Sequence, residues 1–246
     1  MHSSISPTNF DHYTYSRKSH LSVLARYAYE LYGREVDFSL CDLKSYQDLL
    51  VFGFIKENIP TGSKILEIGG GHSRVLNKLA DTYECWNIDK HEGLGNGPKA
   101  PQRQYNSRLI LDYIGNFTPH LPNEYFDFVF SISVLEHSPP DKNEIYSKIL
   151  ADINRTLAPN AFSLHCLDLV KHPKHIWTNP LLLYLFANLP TINIFIPLDE
   201  LLTAEDMHVM TQEAYDRNWK SITCKDYMLF GKPFSYNILW RRHNHG

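Results

Sequence analysis

Lys64-Ile65-Leu66-Glu67-Ile68-Gly69-Gly70-Gly71 is the stretch on which the reading of this chain turns. Its first five residues form a short, mostly apolar run with the length of a buried strand, and the glycines end it. Three successive glycines let the backbone take torsions that a side chain forbids and come close to a ligand. A helix is expected over residues 74–83, with Val75, Leu76, Leu79 and Ala80 on one face. Its first turn would aim free N–H groups and a positive dipole end at the same place. A tight bend alone would explain such a turn equally well, so the neighbouring residues have to decide.

Working outward, strand and helix signals alternate. Residues 84–88 read as a second strand ending at Asp89, and a Gly/Pro-rich loop over 93–101 leads to a third near 108–111. Residues 126–134 (Phe-Asp-Phe-Val-Phe-Ser-Ile-Ser-Val) are the clearest strand of all. A helix over 142–157 carries Ile145, Ile149, Leu150, Ile153 and Leu157 as one stripe; Ala158-Pro159-Asn160 then turns into a fifth strand over 162–170. This β-α-β alternation predicts a parallel sheet covered on both faces, with ligands at the carboxyl ends of its strands.

Two acids stand out against that frame. Glu67 lies inside an apolar strand, where a carboxylate is costly unless it meets a donor or a cation. A sulfonium or ammonium group on a ligand would give it one. A nicotinamide dinucleotide site competes, but its pattern wants a glycine where Arg74 stands and has no use for Glu67. Asp89 closes the second strand, where an acid can accept both hydroxyls of a ribose. A capping or loop role is the plainer alternative for it.

The stretch 64–71 resembles motif I of the class I S-adenosylmethionine-dependent methyltransferases. Asp89 matches their ribose-binding acid, Tyr125 to His137 resembles the fourth-strand motif of the small-molecule, type 11-like branch, and Asn154 to Ala161 the helix and turn before the fifth strand. The resemblance covers residues 61–170 and departs at Ser73 and at Pro159-Asn160-Ala161, where the family has further glycines. It implies a Rossmann-like, doubly wound α/β fold with a mostly parallel seven-stranded sheet and helices on both faces. It also implies S-adenosylmethionine as cofactor, held at its methionine end by Glu67, Gly69, Gly70 and Gly71 and at its ribose by Asp89. By the same analogy Asp112 and Tyr113 would lie against the adenine, and Ser133 and Val134 near the sulfonium. Tyr113 reads equally well as a core aromatic. Where the acceptor must lose a proton, His137 is the candidate base, set against a purely structural role.

The rest of the chain is read as decoration of one methyltransferase domain over 1–246. Residues 1–60 form an N-terminal helical extension with helices around Leu21–Leu31 and Leu49–Ile55. Residues 171–222 form an insertion after the fifth strand on the acceptor side, with a helix start near 203–206. Residues 223–246 supply two late strands, 227–230 and 234–240, joined as a hairpin through Gly231-Lys232-Pro233. The apolar stretch 181–198 reaches the length of a membrane span, but Pro190, Pro197 and two asparagines favour a broken helix followed by a β-prone run at 192–196. Trp177, residues 181–186 and Phe195 would form either an apolar lid or a helix packed on the domain's own core.

A net charge of -3 with no long basic run argues against nucleic acid, and Ser138-Pro139-Pro140-Asp141 lacks the aromatic that nucleobase amino-methylation uses. Four scattered cysteines without a CxxC pair, and a polar N-terminus, fit a cytoplasmic protein without disulfides. His165, Cys166, His172 and His175 are too loosely spaced around Pro173 to read as a metal site. The expected function is methyl transfer to a small-molecule acceptor by in-line displacement. Action on protein or RNA, or non-catalytic binding of S-adenosylmethionine, are the alternatives, and oligomeric state is left open.

Overall fold

The computed structural model describes residues 4–93, 107–140 and 142–242. Most of the expected loop at 93–101 and the residues Asp141 and His243 therefore lie outside the described residues. Five parallel strands form the centre: β1 (Lys64–Ile68), β2 (Glu84–Ile88), β3 (Ser107–Ile110), β4 (Phe126–Ile132) and β5 (Leu157–Lys171), in the order β3-β2-β1-β4-β5. β6 (Ile176–Trp177) and β7 (Lys232–Arg241) both pair antiparallel with β5. Because β7 follows β5 from Phe162 to Lys171, β6 must lie on the other edge, beyond the end of β4 at Ile132.

Helices α1 (Leu21–Tyr32), α2 (Leu43–Asn58) and α3 (Arg74–Leu79) cover one face; α4 (Asn143–Thr156) and α5 (Leu181–Asn188) cover the other. α2 is buried along nearly its whole length, and Phe54 stacks on Phe128 at 5.5 Å and meets Phe162 edge-on. Burial on both sides explains why the strands are nearly continuous apolar runs.

The outer edge of β7 is covered by two pieces of chain far apart in sequence. Thr14–Ser16 runs antiparallel to Ser235–Asn237, with Ser16 N–H donating to the Ser235 carbonyl at 2.8 Å and Asn237 N–H to that of Thr14 at 2.7 Å. Ile192 N–H donates to the Leu239 carbonyl at 2.7 Å. Covering an edge in this way removes a template for unwanted strand pairing.

Several expectations for the tail and insertion are corrected. Residues 227–230 are a single helical turn, because Tyr227 and Phe230, three apart, both turn inward onto Tyr215, while Met228 and Leu229 are exposed. β7 consequently returns to β5 rather than closing a hairpin. Residues 192–196 are no strand: the Asn193 side chain takes the Leu239 N–H at 2.8 Å and donates to the Asn237 carbonyl, replacing the ladder after one backbone bond. No helix starts at 203–206; Asp206 instead accepts from Ser19, and α6 (Gln212–Asn218) begins after Thr211, whose hydroxyl caps Ala214 N–H. The turn at 158–160 is absorbed into β5 as an irregularity between the pairs Phe126–Leu157 and Phe128–Phe162, with Asn160 left-handed at φ 63°.

α5 ends at Asn188, and no described helix is long and apolar enough to cross a membrane. Leu181, Leu182 and Leu185 are buried in the main core, and Phe186 packs with Phe195 and Tyr236.

His165 sits in that core, stacked on Trp240 at 4.6 Å between the hydroxyls of Ser131 (2.7 Å) and Ser163 (2.8 Å). Burial pushes its pKa down to about 3, so the native imidazole is neutral. A folded pKa below the unfolded value gives stability that is full above pH 6.5 and lost as the pH falls toward 3. At pH 7, His165→Gln should therefore be less stable than wild type by about 1–3 kcal/mol. The gap should shrink by about 1.4 kcal/mol per unit below pH 6.5. Urea unfolding of both proteins at pH 7 and pH 5 measures this, and a gap that does not change with pH would refute the neutral core histidine.

Candidate functional site

The carboxyl ends of β1, β2 and β4 meet at the glycine turn. Gly69 and Gly71 are left-handed, at φ 66° and 50°. A Cβ on Gly69 would come within 2.5 Å of Val134 Cγ1, and one on Gly70 within 2.7 Å of Glu67 Cδ. Only glycine allows the turn to lie against both. The end of β2 knits it in place: Gly70 N–H donates to Asn87 Oδ1 at 3.1 Å and Gly71 N–H to Asp89 Oδ2 at 2.8 Å. Asp89 Oδ1 accepts from His91 N–H at 2.7 Å. Ser73, where the resemblance leads one to expect glycine, caps α3 by accepting from Leu76 N–H at 2.9 Å.

Beneath the turn Glu67 is buried, and its Oε2 has no hydrogen-bond partner. Burial raises its pKa to about 8, against the opposing pull of the Ser73 hydroxyl. Close by are the first two turns of α2. Asp48 there accepts from Arg74 Nε at 2.5 Å and from the Tyr32 hydroxyl at 2.8 Å, and Lys44 exerts its charge on Glu67. Burial raises the Asp48 carboxyl despite the guanidinium beside it.

Past the end of β4, Ser133 is left-handed at φ 51°, and its hydroxyl contacts Gln47 Oε1 at 2.7 Å and Asp168 Oδ1 at 2.8 Å. Gln47 Nε2 donates to the same Asp168 oxygen at 2.8 Å. Glu136 is buried; its Oε1 accepts the Asp168 N–H at 3.2 Å and its Oε2 has no partner. Desolvation raises both carboxyls; the Asp168 charge raises Glu136 further, while hydrogen bonds from Gln47 and Ser133 pull Asp168 back. His137 is exposed at the rim, its pKa lowered first by surrounding protein and then by Lys44.

Of the residues expected from the sequence, Glu67, Gly69, Gly70, Gly71, Asp89 and Val134 converge. Ser133 is adjacent, but its hydroxyl is turned away toward α2 and β5. Asp112 and Tyr113 follow β3 and are held locally. Desolvation is the largest single influence on Asp112 and raises its carboxyl, but the hydrogen bonds it accepts from Asn116 and Tyr113 N–H together bring its pKa below the ordinary value, and the Tyr113 hydroxyl donates to Glu92 at 2.5 Å. At 44% exposure Tyr113 is no core aromatic. The loose His/Cys set does not converge: His165 packs on Trp240, Cys166 lies in the opposite core, and His172 stacks on His175 at the β5–β6 turn. Lys44, Gln47, Asp48, Asn87 and Asp168 were not anticipated. Asp168, an acid between Leu167 and Leu169, carries the same signal that marked Glu67.

A family described as a methyltransferase domain matches residues 32–206. Among solved structures, a phosphoethanolamine N-methyltransferase 2 of Haemonchus contortus is 15% identical, with 97% of this chain and 60% of that one covered and a TM-score of 0.48. The YcgJ protein of Bacillus subtilis is 14% identical, with 81% and 99% covered and a TM-score of 0.46. Neither likeness is close enough to bear on the acceptor. No curated protein matches the chain in sequence. With its match running from the end of α1 through the sheet and into the insertion, the chain belongs to the methyltransferase domain family, and its class is that of the S-adenosylmethionine-dependent enzymes.

Proposed function

We propose that this enzyme methylates a small-molecule acceptor from S-adenosylmethionine bound across the glycine turn. One observation carries the reading. A buried carboxyl group with a partnerless oxygen lies directly under a glycine turn that packs on Glu67 and Val134 too closely to admit a Cβ, which leaves bare backbone beside an acid for a cationic ligand to approach. In this reading Glu67 and the backbone of Gly69, Gly70 and Gly71 hold the methionine portion, and Asp89 takes the ribose hydroxyls. Asp112 and Tyr113 flank the adenine, while Ser133 and Val134 border the sulfonium. The bound sulfonium supplies an activated methyl group. The protein's task is then largely positioning, which in favourable intramolecular cases is worth ~7–11 kcal/mol. His137, exposed at the rim, would receive a proton from an acceptor that must lose one.

The acidic net charge and the lack of a long basic run support a small acceptor over a nucleic acid. Residues 61–170 are assigned to cofactor binding and 171–222 to the acceptor side, with 1–60 and 223–246 completing one domain. All four cysteines are free thiols, which fits a reducing cytoplasm.

Calorimetric titration should show saturable binding of S-adenosylmethionine and S-adenosylhomocysteine, weakened at least about tenfold by Asp89→Ala, or ~1.4 kcal/mol. Absence of binding to either nucleoside would remove the main support for the site. Glu67 supplies a second expectation. With a pKa near 8 it is mostly protonated at pH 7, and pairing with a cation must ionise it. Binding of S-adenosylmethionine at pH 7 should thus release up to about one proton, read from titrations in buffers of different ionisation enthalpy. Glu67→Gln should abolish that release, and an unchanged value in the variant would show that the proton comes from elsewhere.

A further inference from the structure

The acids beyond β4 lie next to the cofactor cradle, yet the roles assigned above leave them unused. Contact leads from one to the other: Gly69 touches Val134, Ser133 precedes it, and the Ser133 hydroxyl reaches Asp168. Asp168 stands on β5 and is half-buried, between Leu167 and Leu169 of the core. Glu136 is only 4% exposed, and its Oε2 has no partner.

The hydrogen-bonding inventory of this pocket is one-sided. The Ser133 hydroxyl has one proton, shared between Gln47 and Asp168. Gln47 uses its amide protons on Asp168 and on the Ser235 hydroxyl, which in turn donates to Asn237 Oδ1. Asn179 uses its own on the carbonyls of Glu136 and Ser138. With these donors committed, the capacity left over on the ionised pair is acceptor capacity, on Glu136 Oε2 and on the remaining lone pairs of Asp168, and a cationic ligand would favour that ionised form over the protonated one that desolvation favours. Lys44 acts on Asp48, Glu67, Glu136 and Asp168 together, one positive charge spread over four acids. A ligand group that completes such a pocket must bring N–H donors and positive charge. An ether would leave Glu136 Oε2 unmatched, and a carboxylate or phosphate would add charge repulsion as well.

We propose that Asp168 and Glu136 form the acceptor subsite and that they select a substrate bearing a protonated amino group. This rests on the methyltransferase reading above and names the acceptor class for it. Asn179, at the start of the insertion, positions the pair. Its amide pins the Glu136 backbone, while its Oδ1 accepts from Leu181 N–H and from the Tyr146 hydroxyl, which fixes the amide's orientation.

The test uses the full chain saturated with S-adenosylhomocysteine and matched probes that differ in one group: butylamine, butanol and butyrate, and 2-phenylethylamine, 2-phenylethanol and phenylacetate. Ligand-observed NMR titration should show amines binding at least about tenfold more tightly than the alcohols and carboxylates. The isosteric variants Asp168→Asn and Glu136→Gln should lose that preference while keeping the wild-type affinity for S-adenosylhomocysteine within about twofold. Equal or tighter binding of alcohols or carboxylates, no amine binding in either series, or an amine preference that survives Asp168→Asn would each overturn the proposal. If a variant does not fold, the wild-type comparison of amines with carboxylates decides by itself. Failure of wild type to bind S-adenosylhomocysteine would be a different result, striking the cofactor site and not the choice of acceptor.

Discussion

Glu67 is carried into the molecule by a strand that has no freedom to place it elsewhere. β1 lies between β2 and β4, and the alternation of its side chains puts Leu66 and Ile68 on one core and Ile65 and Glu67 on the other. A one-residue slip would exchange the two sets and drive the Glu67 carboxyl into the opposite apolar core, so register and charge placement are the same constraint. The glycine turn follows from it. With the carboxyl group under Gly70 and the Val134 side chain over Gly69, neither position admits a Cβ. Asn87 and Asp89, at the end of the neighbouring strand, then hold the turn through its own N–H groups.

The same constraint explains the N-terminal extension. α2 presents apolar residues such as Leu50 and Phe54 to the sheet and, one turn in from its N-terminus, Lys44, Gln47 and Asp48 to the strand ends. Without that roof, Ser133 and Asp168 would lose Gln47, and Arg74 would lose Asp48. The extension is anchored twice, by α2 on the sheet face and by Thr14–Ser16 along the edge of β7. The pieces before the first strand and after the fifth therefore belong to one packing unit with the central strands, and the acids near the site have their positions set by both.

How legible this was in the sequence depends on what kind of signal each part carries. β1 and β2 were readable to the residue because a short apolar run ends abruptly in glycine or aspartate. The late runs were not, because a four-residue aromatic stretch fits period two and period three alike; only the presence of Tyr215 beneath Tyr227 and Phe230 selects a helical turn. At 192–196 the β-branched residues suggested a strand, but the side chain of Asn193 took over the ladder bonds, a substitution visible only with its partners in place. Glu67 and Asp89 could be singled out because an acid in or at the end of an apolar strand is conspicuous. Gln47 and Asp48 could not, since a polar residue in a helix is ordinarily solvated, and nothing local indicates that these two face the strand ends. Asp168 is as conspicuous an acid in an apolar strand as Glu67, but no glycine turn beside it marks a ligand site.

Two buried carboxyl groups, Glu67 and Glu136, each keep an oxygen without a partner. Other buried polar groups are met by close partners: His165 has a hydroxyl on each ring nitrogen, and Asn193 and Asn237 replace missing ladder bonds. Unmet desolvation of a carboxyl group costs on the order of 1–3 kcal/mol. Both groups border the site proposed above for cofactor and acceptor. On that reading a ligand bringing donors or positive charge would offset a desolvation cost that the fold carries at these two positions, stability given up locally for function.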